Sequence, residues 1–106
     1  MSKRKQLENL AVFIGMRAAH EVLIELTNKE ETIPHMKKEV DMYNILILKL
    51  AEGNWNNDDI KKIKELALKR CNKKVEEYND IGDNKYQKAK DAVEQIMDYL
   101  GLYANV

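Results

Sequence analysis

Imidazole and carboxylate side chains bind divalent metals and move protons near neutral pH, and this chain has His20 and His35, with Glu31 and Glu39 near the second. Di-iron helical bundles place Glu three residues before His on two helices. At that offset Arg17 precedes His20 and Thr32 precedes His35. His35 and Glu39, four apart, share a helical face, and pairing the first two helices about their loop sets His35 level with about residue 26 and His20 with about residue 41. That separation along the axis is too large for one ion, so the spacing predicts no metal and no cofactor. Catalytic residues are not predicted either. Ser2 is the only serine, and Cys71 falls on an apolar stripe with no His or cation placed by the sequence to activate it. No Gly-rich phosphate loop or dinucleotide fingerprint occurs.

Lysine carries the other chemistry. Lys61, Lys62, Lys64, Lys69, Arg70, Lys73 and Lys74 fall within one predicted helix, with Glu65 the only acid between the first and last of them. Lys62, Lys69 and Lys73 share its solvent face and are placed to follow a phosphate backbone. No aromatic residue interleaves for base stacking, and no helix-turn-helix with a polar recognition helix is present. Lys3, Arg4 and Lys5 crowd the first turn of helix one, the wrong sign for the helix dipole, so this end is expected to fray or to meet an acidic partner. Over the whole chain 18 basic and 18 acidic residues balance. Any nucleic-acid binding would therefore be local, not the result of a global field.

Four amphipathic helices position these groups. Helix one is expected from Ser2 or Lys3 to Asn28, with Ser2 as N-cap. Helix two runs from Ile33 to Ala51, with Thr32 as cap and Pro34 in the first turn, where its missing N–H has no intrahelical partner to lose. Its core seam is Met36, Val40, Tyr43, Ile47 and Leu50. Gly53 suits a left-handed position after it, and Trp55 is expected to close the end of the core beside a cap at Asn56 or Asn57. Helix three, Asp58 to Asn79, turns Ile60, Ile63, Ala67, Cys71, Val75 and Tyr78 inward. Gly82 and a cap at Asp83 introduce helix four, Asn84 to Leu100, with Tyr86, Ala89, Val93, Ile96, Met97 and Leu100 inward.

Leu10 to Leu26 departs from this regular pattern. Val12, Gly15, Met16, Ala19, Val22, Leu23 and Leu26 make an ordinary core stripe, but Leu10, Phe13, Ile14 and Ile24 fall on the opposite side among Arg17, His20 and Glu21. The stretch approaches the length of a membrane span, yet Arg17, Glu21 and Glu25 within it exclude that reading. Ile45 and Leu48 likewise point away from the seam of helix two. Leu10, Phe13, Ile14, Arg17, Ile24, Ile45 and Leu48 thus have the composition of an interface, an apolar centre with a charged rim. A C-terminal tail carrying Leu102 and Tyr103 is the competing cover for helix one.

At 106 residues the chain is read as one domain, residues 1–106, all-α, an antiparallel up-down-up-down four-helix bundle. A helical hairpin exchanged between two subunits satisfies the same pattern. A single cysteine and the absence of a targeting segment predict a cytoplasmic protein off the membrane. The leading functional expectation is a non-enzymatic interaction or scaffold domain, a homodimer joined through the outer faces of helices one and two and able to present a surface to another protein. The alternative is a small nucleic-acid-associated protein using Lys62, Lys69 and Lys73.

Overall fold

A computed structural model describes residues 2–102, and among them the chain forms four α-helices and one short 3-10 turn, with no strand. Helix α1 spans Lys3–Leu26, α2 Ile33–Ala51, α3 Asn57–Val75 and α4 Lys85–Tyr99, with the turn at Glu30–Thr32 leading into α2. Ser2 caps α1 as expected, its Oγ accepting from the Lys5 N–H at 3.1 Å. Asn56 caps α3 through a complete capping box: its side-chain oxygen accepts from the Asp59 N–H at 2.8 Å, and its own N–H donates to the Asp59 carboxylate at 3.4 Å. Two satisfied N–H donors and two first-turn acids make this a well-specified helix start.

Three local expectations are corrected. Thr32 does not cap α2 with its side chain; its hydroxyl donates to the Lys29 carbonyl at 2.7 Å and closes the preceding turn. Asn84, not Asp83, holds the N-cap position of α4, with no side-chain cap bond. Gly53 is not left-handed, since positive φ among the described residues belongs to Gly82 and Gly101. Its role is proximity: a Cβ there would sit 3.1 Å from the indole nitrogen of Trp55, which donates to the Leu50 carbonyl at 3.2 Å. Trp55 thus closes the α2–α3 corner against the core, as expected.

The helices are arranged around α1, which packs against α2, α3 and α4. Among the described residues α2 has a close backbone approach to α1 but to neither α3 nor α4, so the four do not form a closed square. This explains the apolar character of α1. Leu10, Ala11, Ile14, Ala18, Ala19, Val22 and Leu23 are all fully or almost fully buried. On the helical wheel Leu10 falls between the sector meeting α2, which carries Phe13, Arg17 and His20, and the sector meeting α4, which carries Glu21, Glu25 and Val22, and Ile14 falls within the latter. Their assignment to an outer interface is therefore corrected: they belong to the core of the chain itself. Leu102 is also buried in that core, whereas Tyr103 lies outside the described residues.

Gly15 sets the distance between α1 and α3. A Cβ at this position would lie 2.6 Å from the Ala67 carbonyl oxygen and 2.8 Å from Arg70 Cβ, contacts that a backbone atom cannot relieve by rotating. Alanine would gain about 1 kcal/mol of helix propensity. Overpacking against backbone costs about 1–3 kcal/mol and outweighs that gain. Gly15→Ala is expected to lower the urea midpoint of unfolding, and a raised midpoint would show that α3 moves away freely.

Candidate functional site

His20 and His35 share one carboxylate, a link that the axial spacing did not predict. Glu39 stands one turn beyond His35 on α2 and directly across from His20 on α1. His20 Nε2 lies 2.5 Å from one carboxylate oxygen and His35 Nε2 lies 2.6 Å from the other. His20 is buried; its Nδ1 lies 2.6 Å from the Met16 carbonyl oxygen, and its ring is 5.7 Å from that of Tyr43. Arg17 extends the same seam, its guanidinium donating to Asn44 at 2.8 Å and to Glu21 at 3.2 Å. Among the described residues no group of three or more His, Cys, Asp and Glu has a metal-holding arrangement. The geometry is that of a polar clamp joining α1 to α2. Phe13 packs beside it against Tyr43, with ring centroids 6.1 Å apart. Phe13 and Arg17, both half-buried, therefore support α2 from beneath, and half-buried Ile24 packs against the core.

Helix α2 turns a different face outward. Met42, Ile45 and Leu48 are 48%, 70% and 42% exposed, the longest run of large exposed apolar side chains among the described residues. Ile45 and Leu48 stand where the sequence placed them, and Met42 joins them at the same three-residue spacing. The sequence signal for Met42 was its position beside Lys38 and Lys49 on the outer wheel, obscured by its neighbour Tyr43 in the seam.

The lysines of α3 are also brought to one place. Lys62, Lys69 and Lys73 line a groove of about 550 Å³ between α1 and α3, together with Arg4 and Arg70. Leu7, Val12 and Leu66 supply its apolar lining. Arg4 and the apolar lining were not legible from α3 alone, because they depend on which helix lies beside it. Lys3, nearby, pairs with Asp59 at 3.5 Å and sits 5.6 Å over the Trp55 ring, so the basic first turn of α1 is held against the start of α3.

Cys71 is fully buried on the α3 stripe, and desolvation pushes its thiol from an ordinary 9.0 up to about 12. The folded state holds this proton more tightly than the unfolded state. Its contribution to stability is complete below pH 9.0 and is lost as pH rises toward about 12. Cys71→Ala is expected to flatten the decline of stability across that alkaline window, measured by urea unfolding at stepped pH. Replacing Glu39 tests the clamp: Glu39→Ala leaves buried His20 without its partner and should cost about 1–3 kcal/mol, with Glu39→Gln intermediate. No family model matches this chain, and no curated protein or solved structure matches it either, so its function is read from these surfaces.

Proposed function

We propose that this chain is a non-enzymatic protein-interaction domain that self-associates through α2. The observation carrying the reading is the exposure of Met42, Ile45 and Leu48 on a helix held to the body through α1. Alternation of helix direction, up-down-up-down along the chain, is supported by the residues that meet: Lys3 with Asp59, His20 with Glu39, Glu25 with Lys88 and Lys64 with Glu94. A lone cysteine, buried and free, supports a reducing compartment such as the cytoplasm.

The outer face of α2 is self-complementary. On the helical wheel Lys38, Asp41, Met42, Ile45, Leu48, Lys49 and Glu52 lie within about 60° either side of Ile45, and all seven are exposed. An antiparallel copy of α2, related by a two-fold axis at Ile45, sets Ile45 against itself and Met42 against Leu48 of the second copy. The same register places Asp41 opposite Lys49 and Lys38 opposite Glu52. An isologous contact repeats each of these pairs. Apolar centre and matched charged flanks have the layout of a small interface. A single helix pair lies at the low end of interface sizes, so a dissociation constant in the micromolar range, about 8 kcal/mol, is expected.

Sedimentation equilibrium tests the reading. The wild type should pass from monomer to dimer with rising concentration, and Ile45→Glu should remain monomeric. Asp41→Lys or Lys49→Asp alone should weaken the dimer about tenfold by opposing like charges, and the double exchange should restore it. A wild type monomeric at millimolar concentration, or a dimer indifferent to Ile45→Glu, would overturn the proposal.

A further inference from the structure

We propose that the groove between α1 and α3 receives an acidic amphipathic helix from a partner protein. Its apolar middle is formed by Leu7, Val12 and Leu66, while cations stand at both ends: Arg4 and Lys62 toward the start of the two helices, Lys69, Arg70 and Lys73 further along. Glu8, the one acid in the lining, is neutralised by Arg4 at 3.3 Å, and Lys62 has Glu65 at 4.0 Å. Lys69, Arg70 and Lys73 form no ion pair among the described residues. All three are exposed and open to a partner's carboxylates.

Three alternatives fit these observations less well. A lipid with one anionic head would satisfy the cations at one end and leave the other end unmatched. A nucleic-acid backbone would use the cations but not the apolar lining, and no described lining residue is aromatic to stack a base. A second copy of this chain would have to present an acidic apolar ridge, whereas its exposed apolar ridge on α2 alternates Lys38, Asp41, Lys49 and Glu52. An acidic helix meets every requirement. From Lys62 to Lys73 the groove wall runs about 16 Å, three turns of helix, and apolar side chains spaced i, i+3, i+4 and i+7 on a docked helix would reach Leu7, Val12 and Leu66. Acids flanking those anchors would meet the free cations. Because none of the lining residues is on α2, this surface is separate from the self-association face and can be occupied in the dimer.

The test uses the full chain and a synthetic, end-capped peptide of about four helical turns, with Leu at i, i+3, i+4 and i+7 and Glu and Ala elsewhere. Fluorescence anisotropy should show binding at least tenfold tighter than to a scrambled peptide of the same composition. Amide chemical-shift changes should centre on Val12, Leu66 and Lys69. Combined Lys69→Glu and Lys73→Glu, both on exposed positions, should abolish binding while leaving the thermal midpoint and the dimer mass unchanged. Equal binding of the scrambled peptide, tighter binding of a single-stranded oligonucleotide than of the helix peptide, or shifts lying outside the groove would each overturn the proposal. So would competition between the peptide and self-association, which would assign the groove to a second copy. Loss of the dimer in Ile45→Glu with peptide binding retained separates this inference from the self-association reading.

Discussion

The structure depends on how closely α3 approaches α1. Ala11, Gly15, Ala18 and Val22 share one sector of α1, and at Gly15 the absence of a Cβ brings the helix surface against the Ala67 carbonyl and the stem of Arg70. Small residues here do more than fill space, because interiors are packed too densely to absorb an extra carbon. With α3 fixed, the positions of α4 against both helices and of the groove beside Val12 and Leu66 follow.

Much of this was legible in the sequence, for reasons that differ by element. The apolar stripe of α3, Ile60 through Val75, is a single-sided pattern, and a helix covered on one side declares that side directly. The Asn56 cap and the Trp55 corner were likewise local, set by residues within one turn of each other. α1 was harder to read. Arg17, His20 and Glu21 mark the side of Leu10 and Ile14 as polar, but Arg17 and His20 are spent on α2, so in a helix touched by three neighbours that side is covered and not solvent-facing. Sequence periodicity reports how much of a helix is apolar; which apolar residues face solvent depends on how many neighbours surround it.

The polar groups enclosed in the bundle show a related limit. His20 and Lys85 are both buried, and each is used: His20 against Glu39 and the Met16 carbonyl, Lys85 donating to the Tyr78 carbonyl at 2.9 Å across the α3–α4 turn. Axial arithmetic separated the two histidines because it measured from backbone to backbone. Glu39 removes the separation by offering one oxygen to each. Directional bonds of this kind favour one sliding position of α2 along α1, which apolar side chains such as Phe13 and Tyr43 would leave less defined.

The attachment of α2 has a thermodynamic consequence. Its buried residues among those described are Met36 and Ile47, whereas α1, α3 and α4 enclose the remainder of the core against one another. Opening α2 leaves the other three helices still in mutual contact, so its local stability is set by its one interface with α1. Whatever binds its outer face is then coupled to its order: a ligand that recognises only helical α2 raises the free energy of local opening by RT ln(1 + [L]/Kd). In this molecule association and the persistence of one helix are a single linked equilibrium.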